Sequence, residues 1–261
     1  AITGEFFRYD PKYEIAEIES RKSLLAFRWV TSDGKHKEAL FQRSDAIEVT
    51  VAASVSRTAN GLYRYDYLLS NAKDSALFLS GFRLQTFADD VRVVKDSEVY
   101  VGFMSKDVRG FGEGHWVSYG GSYLGEKTVP GTQVTMTIES RHPPGVVQCR
   151  VSGGDPAPRI ESGTPGVFED VWSSRYYATW PRGQTVGPSA TVGKMRLSER
   201  ITYIASQLQS MEKCGWMTSE SRAWYATNLK SNRRTVLDRL ESDLKANRIT
   251  SEVYALVREA L

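Results

Sequence analysis

Residues 46–87 read AIEVTVAASVSRTANGLYRYDYLLSNAKDSALFLSGFRLQTF, and the fold turns on this stretch. It divides into three predicted strands, 47–57, 62–70 and 76–87. Asn60-Gly61 separates the first two, and both residues tolerate the positive φ of a tight hairpin turn. Residues 71–75 separate the second and third with ordinary turn chemistry: Asn, Ala, Lys, Asp and Ser. The middle strand alternates cleanly. Tyr63, Tyr65, Tyr67 and Leu69 share one face; Leu62, Arg64, Asp66 and Leu68 share the other. The pattern predicts a three-strand meander with one aromatic face, and such a face needs a second sheet to cover it.

Outward from this stretch the turn signals recur at short spacing. Residues 23–31 (SLLAFRWVT) and 36–42 flank Asp33-Gly34, a hairpin signature. Residues 91–94 and 98–103 read as short strands. Residues 132–139 alternate apolar with polar side chains after Pro130-Gly131, and 146–151 follow Pro143-Pro144-Gly145. Roughly nine to eleven strands at this spacing favour a sandwich over a βαβ fold. Residues 1–20 could form an edge strand or a covering loop. Residues 152–194 are rich in Gly, Pro, Ser and Arg and lack periodicity. Phe168, Trp172, Tyr176, Tyr177 and Trp180 are too many aromatics for a free linker, so the segment is expected to pack on the sandwich.

Beyond Lys194 the period becomes helical. Leu197, Ile201, Ile204, Leu208 and Met211 share a face. Gly215 stands where a glycine cap belongs, and Thr218 and Thr250 are N-cap candidates. The run Gly215-Trp-Met-Thr-Ser-Glu aligns with Asn247-Arg-Ile-Thr-Ser-Glu at an offset of 32 residues. Two copies are too few for a solenoid. The expectation is a three-helix bundle with a long middle helix, in which each Thr-Ser-Glu marks a helix start. The chain thus reads as mainly β with an α-helical C-terminal region: a sandwich over 1–194 and a helical bundle over 195–261.

Composition excludes several classes. The net charge of +3 over 261 residues does not argue for nucleic acid, and no transmembrane run is encoded. Ala1-Ile2-Thr3-Gly4 carries no signal peptide; a mature chain numbered after cleavage, a trimmed chain or a cytosolic protein would begin this way. The two cysteines, Cys149 and Cys214, do not make a disulfide scaffold. Cys149 reads as a buried thiol on a strand, with a bridge to Cys214 as the alternative. No Cys/His cluster points to zinc, so no metal or cofactor is expected.

The run Tyr63-Arg-Tyr-Asp-Tyr-Leu-Leu-Ser-Asn71 resembles the YxYxYxxxN strand-and-turn of Ig-like domains in bacterial secreted and envelope proteins. Val129-Pro130-Gly131, with residues 135–144, is similar to the "PG, strand, PG" ending of those domains. The likeness covers about residues 47–153 at the level of pattern. The tail is similar in layout to small helical repeat modules at the C-termini of such proteins. The resemblance implies an Ig-like antiparallel sandwich and a non-catalytic, extracytoplasmic architecture: secreted, periplasmic or on the cell surface. It brings no catalytic residues.

No nucleophile elbow, zincin, P-loop or calcium-loop motif is present. Of the three histidines, His36 and His142 fall at turns. His115 lies beside Glu113 and Trp116 in a glycine-rich region and lacks an identified partner. Asp89-Asp90 and Glu169-Asp170 are adjacent acids of the kind that marks solvated turns. They leave open a hydrolase acting on polysaccharide or peptidoglycan through acids such as Glu113, Glu169 and Asp170. The aromatics Trp116, Tyr119, Tyr123, Trp172, Tyr176 and Trp180 are the ligand-binding candidates, since flat rings beside polar groups can stack on a glycan or anchor a protein partner. The alternative is that these rings seal the ends of the sandwich. The reading is a non-enzymatic adhesion, recognition or assembly module, with a hydrolase or a purely structural component as alternatives.

Overall fold

The computed structural model describes residues 6–10, 13–17, 24–31, 33–94, 101–106, 115–120, 128–154 and 179–261. The described chain is mostly β, in three antiparallel sheets, followed by five helices. The first sheet is a simple meander of β1 (Phe6–Asp10), β2 (Tyr13–Glu17), β3 (Leu24–Val30) and β4 (His36–Gln42). Asp33-Gly34 makes the β3–β4 turn, as its residue types require.

The other two sheets share a core. One contains β5 (Val49–Arg57), β6 (Tyr63–Asn71), β11 (Gln133–Ser140) and β8 (Arg92–Val93), in that order. The other runs β13 (Arg182–Pro188), β12 (Pro144–Gly153), β7 (Leu79–Thr86), β10 (His115–Gly120), β9 (Val101–Lys106). Tyr63, Tyr65, Tyr67 and Leu69 of β6 are all buried, as their alternation predicts. Their hydroxyls tie three different elements together. Tyr67 donates to the Val186 carbonyl of β13 at 2.9 Å, and Tyr65 donates to the His142 carbonyl between β11 and β12 at 2.7 Å. Tyr63 donates to Glu259 in the last helix at 2.8 Å. Each bond keeps a buried phenol satisfied, worth about 1 kcal/mol net and more if its partner alone is lost.

The meander expectation fails at its third strand. β5 pairs with β6, but β7 crosses to the opposite sheet and pairs with β12 and β10. Its burial explains the move. All but one of its residues are buried, so it suits the centre of a covered sheet rather than a half-solvated meander. The crossing is held by Asn71, whose amide donates to the Leu77 and Thr128 carbonyls at 3.0 Å each. Gly81 is required in β7: a Cβ there would lie 2.7 Å from Ser152 Oγ and 3.0 Å from the Trp180 ring. β13, within a stretch that lacked periodicity, is also unforeseen. It earns its place through ladder bonds to β12 rather than through patterning.

The helices are α1 (Ala190–Lys194), α2 (Leu197–Lys213), α3 (Ser219–Asn228), α4 (Arg233–Lys245) and α5 (Ser251–Ala260). The expected long middle helix is two helices. The chain breaks after Leu229, and Asn232 caps α4 by accepting from the Arg234 amide at 2.8 Å. No helix of the described residues is long and apolar enough to cross a bilayer.

The 32-residue offset has a structural counterpart. Gly215 and Asn247 both adopt positive φ, 72° and 53°. Each closes its helix with the same pair of bonds: Trp216 to Met211 and Gly215 to Glu212 in one copy, Arg248 to Asp243 and Asn247 to Leu244 in the other. The two loops then pair as a short antiparallel bridge, Met217 opposite Ile249. The Thr218 amide donates to Arg248 O at 2.9 Å and the Thr250 amide to Trp216 O at 2.8 Å. The copies differ in what they touch. Ser219 and Glu220 are exposed. Their counterparts grip the free edge of β5: Glu252 accepts from the Ala53 amide at 2.5 Å and Ser251 donates to the Ala53 carbonyl at 2.8 Å. An open strand edge is thereby covered by a helix N-terminus.

Candidate functional site

The ends of β7, β11 and β13 converge with α1 at one end of the sheets. Phe87 follows β7, and its backbone is fixed there. Its amide donates to Pro188 O at 3.4 Å and its carbonyl accepts from the Ala190 amide at 3.3 Å. The Thr86 hydroxyl donates to the same Pro188 carbonyl at 3.2 Å. The ring is left 43 % exposed. It borders a cleft of about 380 Å³ together with Thr86, His115, Ala190, Thr191 and Lys194. His115, the first residue of β10, is half-buried, with Nδ1 3.2 Å from the Ala88 carbonyl. Among the described residues the cleft thus carries one apolar ring, one imidazole and one exposed ammonium.

Beside it, Asp89, Asp90 and His142 come together. His142 Nε2 lies 3.8 Å from Asp89 Oδ1 and 3.7 Å from Asp90 Oδ1. Asp90 is heavily supported. Ser140 Oγ donates to its Oδ1 at 2.6 Å; the Arg141 amide and guanidinium donate to Oδ2 at 2.8 and 3.0 Å. Burial alone would raise the Asp90 carboxyl, but these donors and the neighbouring His142 outweigh it and hold it below the usual carboxylate range. The sequence alone reads both the acids and His142 as turn residues. Nothing in the spacing of residues 89 and 142 signals that β11 and β7 end side by side.

The sequence candidates fall as follows. Trp116 and Trp180 are brought onto the outer face of the β13-to-β9 sheet and are buried. Each packs against an arginine: Arg150 lies 5.8 Å from the Trp116 ring and Arg83 4.9 Å from the Trp180 ring. Arg83 and Arg150 face each other across β7 and β12. Tyr119 lies in β10, with its side chain outside the description. Tyr123, Trp172, Tyr176, Tyr177, Glu113, Glu169 and Asp170 lie outside the described residues.

A second cleft, about 550 Å³, lies among β5, β12, β13 and the loops of the helical repeat. Cys149, Gln184, Cys214, Trp216 and Glu252 are among its walls. Both cysteines are free thiols, Cys149 buried and Cys214 exposed. Burial, with the Cys214 sulfur nearby, pushes Cys149 up to about 12, which makes it a poor nucleophile at neutral pH. Cys214 Sγ lies 3.4 Å from Gln184 Oε1, which also accepts from Ser210 Oγ at 2.7 Å.

Comparison with protein-family models finds no match, and the search of curated proteins finds none either.

Proposed function

We propose that the protein is a non-enzymatic recognition module of the secreted or envelope-associated kind, an Ig-like sandwich carrying a helical repeat. Its ligand contact is the cleft bordered by Phe87. The observation that carries this reading is the exposed Phe87 ring, held on a fixed backbone beside His115 and Lys194. An apolar ring stacks on the flat face of a sugar, and a nearby ammonium pairs with a carboxylate or sulfate. Acidic glycans are therefore the ligand class. The helical repeat, bonded to the β5 edge through Ser251 and Glu252, acts as a rigidly attached second surface.

The test is a binding screen of the intact chain against neutral and acidic glycans. Saturable binding to acidic members is expected, weakened roughly tenfold in Phe87→Ala, as for an anchoring aromatic. Lys194→Gln should reduce the preference for acidic over neutral sugars. An empty screen, or binding indifferent to both substitutions, removes the proposal. Phe87 is 43 % exposed, so Phe87→Ala should cost about 1–2 kcal/mol, and a melting curve of the variant separates lost binding from lost folding.

A further inference from the structure

We propose that Asp89, Asp90 and His142 form a site for a divalent transition-metal ion, with zinc the best match to its donors. First, the ligand atoms belong to two segments far apart in sequence, yet all lie within 4.8 Å of one another. The imidazole nitrogen stands 3.7 and 3.8 Å from the two carboxylate oxygens. That is too long for hydrogen bonds. It is close to the roughly 3.3 Å between neighbouring donors that bond lengths of about 2.0–2.1 Å impose on a tetrahedral ion. The remaining contraction is available: Asp89 is 82 % exposed and can swing inward.

Second, the backbone of His142 and the carboxylate of Asp90 are held in place from outside the site. The His142 amide donates to Ser140 Oγ at 3.1 Å, and its carbonyl accepts from the fully buried Tyr65 hydroxyl at 2.7 Å. Asp90 is oriented by Ser140 and Arg141, with the guanidinium and the amide on Oδ2. Oδ1 accepts only the Ser140 hydroxyl among the described contacts and keeps a lone pair for an ion. Such outer contacts set the orientation of metal ligands.

Third, the charge balance favours a cation. Among the described residues the two carboxylates meet one guanidinium, that of Arg141 on Asp90, so Asp89 keeps its charge available to an ion. One nitrogen and two carboxylate oxygens suit zinc better than magnesium or calcium, which take all-oxygen shells. The remaining coordination position would belong to water or to a ligand. Occupancy would tie the β7–β8 connection to the β11–β12 turn at the end of the sheets.

The experiment is calorimetric titration of the intact chain with zinc chloride, run in parallel on Asp89→Asn, His142→Gln and Cys214→Ser. One saturable site is expected in the parent chain and in Cys214→Ser. Affinity should fall at least tenfold in Asp89→Asn and His142→Gln, and magnesium should not compete. Absence of saturable binding overturns the proposal. So does binding that survives the Asp89 and His142 substitutions, and binding lost in Cys214→Ser would move the ion to the cysteine cleft. Circular dichroism of each variant establishes that it folds; Asp89→Asn, at an exposed position, keeps the test valid if His142→Gln does not.

Discussion

Asp243→Ala is expected to lower stability by about 3 kcal/mol, near the lower end for breaking a buried ion pair. Asp243 is the hub of the helical region. Its side chain is fully buried, yet two arginines meet it: Arg239 at 2.9 Å and Arg248 at 2.8 Å. The Ser221 hydroxyl donates to it at 2.9 Å, joining α3 to α4. Removing the carboxylate leaves two guanidiniums beside each other without their shared anion. Both arginines keep some contact with water, 26 % and 33 % exposed, which limits the loss. For a chain of this size the melting temperature should drop by about 6–12 °C. A drop under about 2 °C would mean that water already screens the cluster.

The same residue predicts an acid response. Burial tends to raise the Asp243 carboxyl, but Arg248, Ser221 and Arg239 outweigh it and lower it from 3.8. A carboxyl lowered in the folded state stabilises above its unfolded value. That contribution is lost as pH falls through the folded value. Denaturation followed from pH 6 down to about pH 2 should therefore show a shallower loss in Asp243→Asn than in the parent chain.

Glu252→Ala should cost about 2 kcal/mol, the range for a hydrogen bond to a charged group. Glu220→Ala should cost less than about 0.5 kcal/mol, as exposed substitutions do. The two glutamates occupy equivalent positions of the repeat, so the contrast isolates the environment. Glu252 is 4 % exposed and takes the Ala53 amide at the edge of β5; Glu220 is exposed and meets Arg239 at 3.2 Å. Without Glu252 the Ala53 amide is left buried and unpaired. Hydrogen exchange at Ala53 should accelerate in Glu252→Ala and remain unchanged in Glu220→Ala. Equal costs at the two positions would contradict the assignment of the β5 edge to the second copy alone.

Much of the local structure was legible before any coordinates. The tyrosine alternation of β6, the Asp33-Gly34 and Asn60-Gly61 turns and the helical starts at Thr218 and Thr250 are each stated by a few neighbouring residues. Even the repeat was visible, because matched caps require matched residue types: Gly215 and Asn247 are the two residues best able to take positive φ. The candidate site was not legible. Asp89, Asp90 and His142 look like turn chemistry, and they are; only the adjacency of their turns makes them a cluster. Phe87 was equally hidden, since an aromatic at a strand end reads as core.

What the sequence determined by itself was most of the elements, though not β13: antiparallel strands with one aromatic stripe, then capped helices in two similar copies. Periodicity and capping act over a few residues, so a linear reading finds them. What the tertiary structure alone decided was the assignment of strands to sheets, the helical break after Leu229 and the use made of each copy of Thr-Ser-Glu. β7 left its hairpin neighbours because burial on both faces outweighs the ease of a short turn. Glu252 became a strand partner and Glu220 did not, because only one of the two loops reaches the open edge of β5. Such choices are made between surfaces distant in sequence, and no local pattern encodes them.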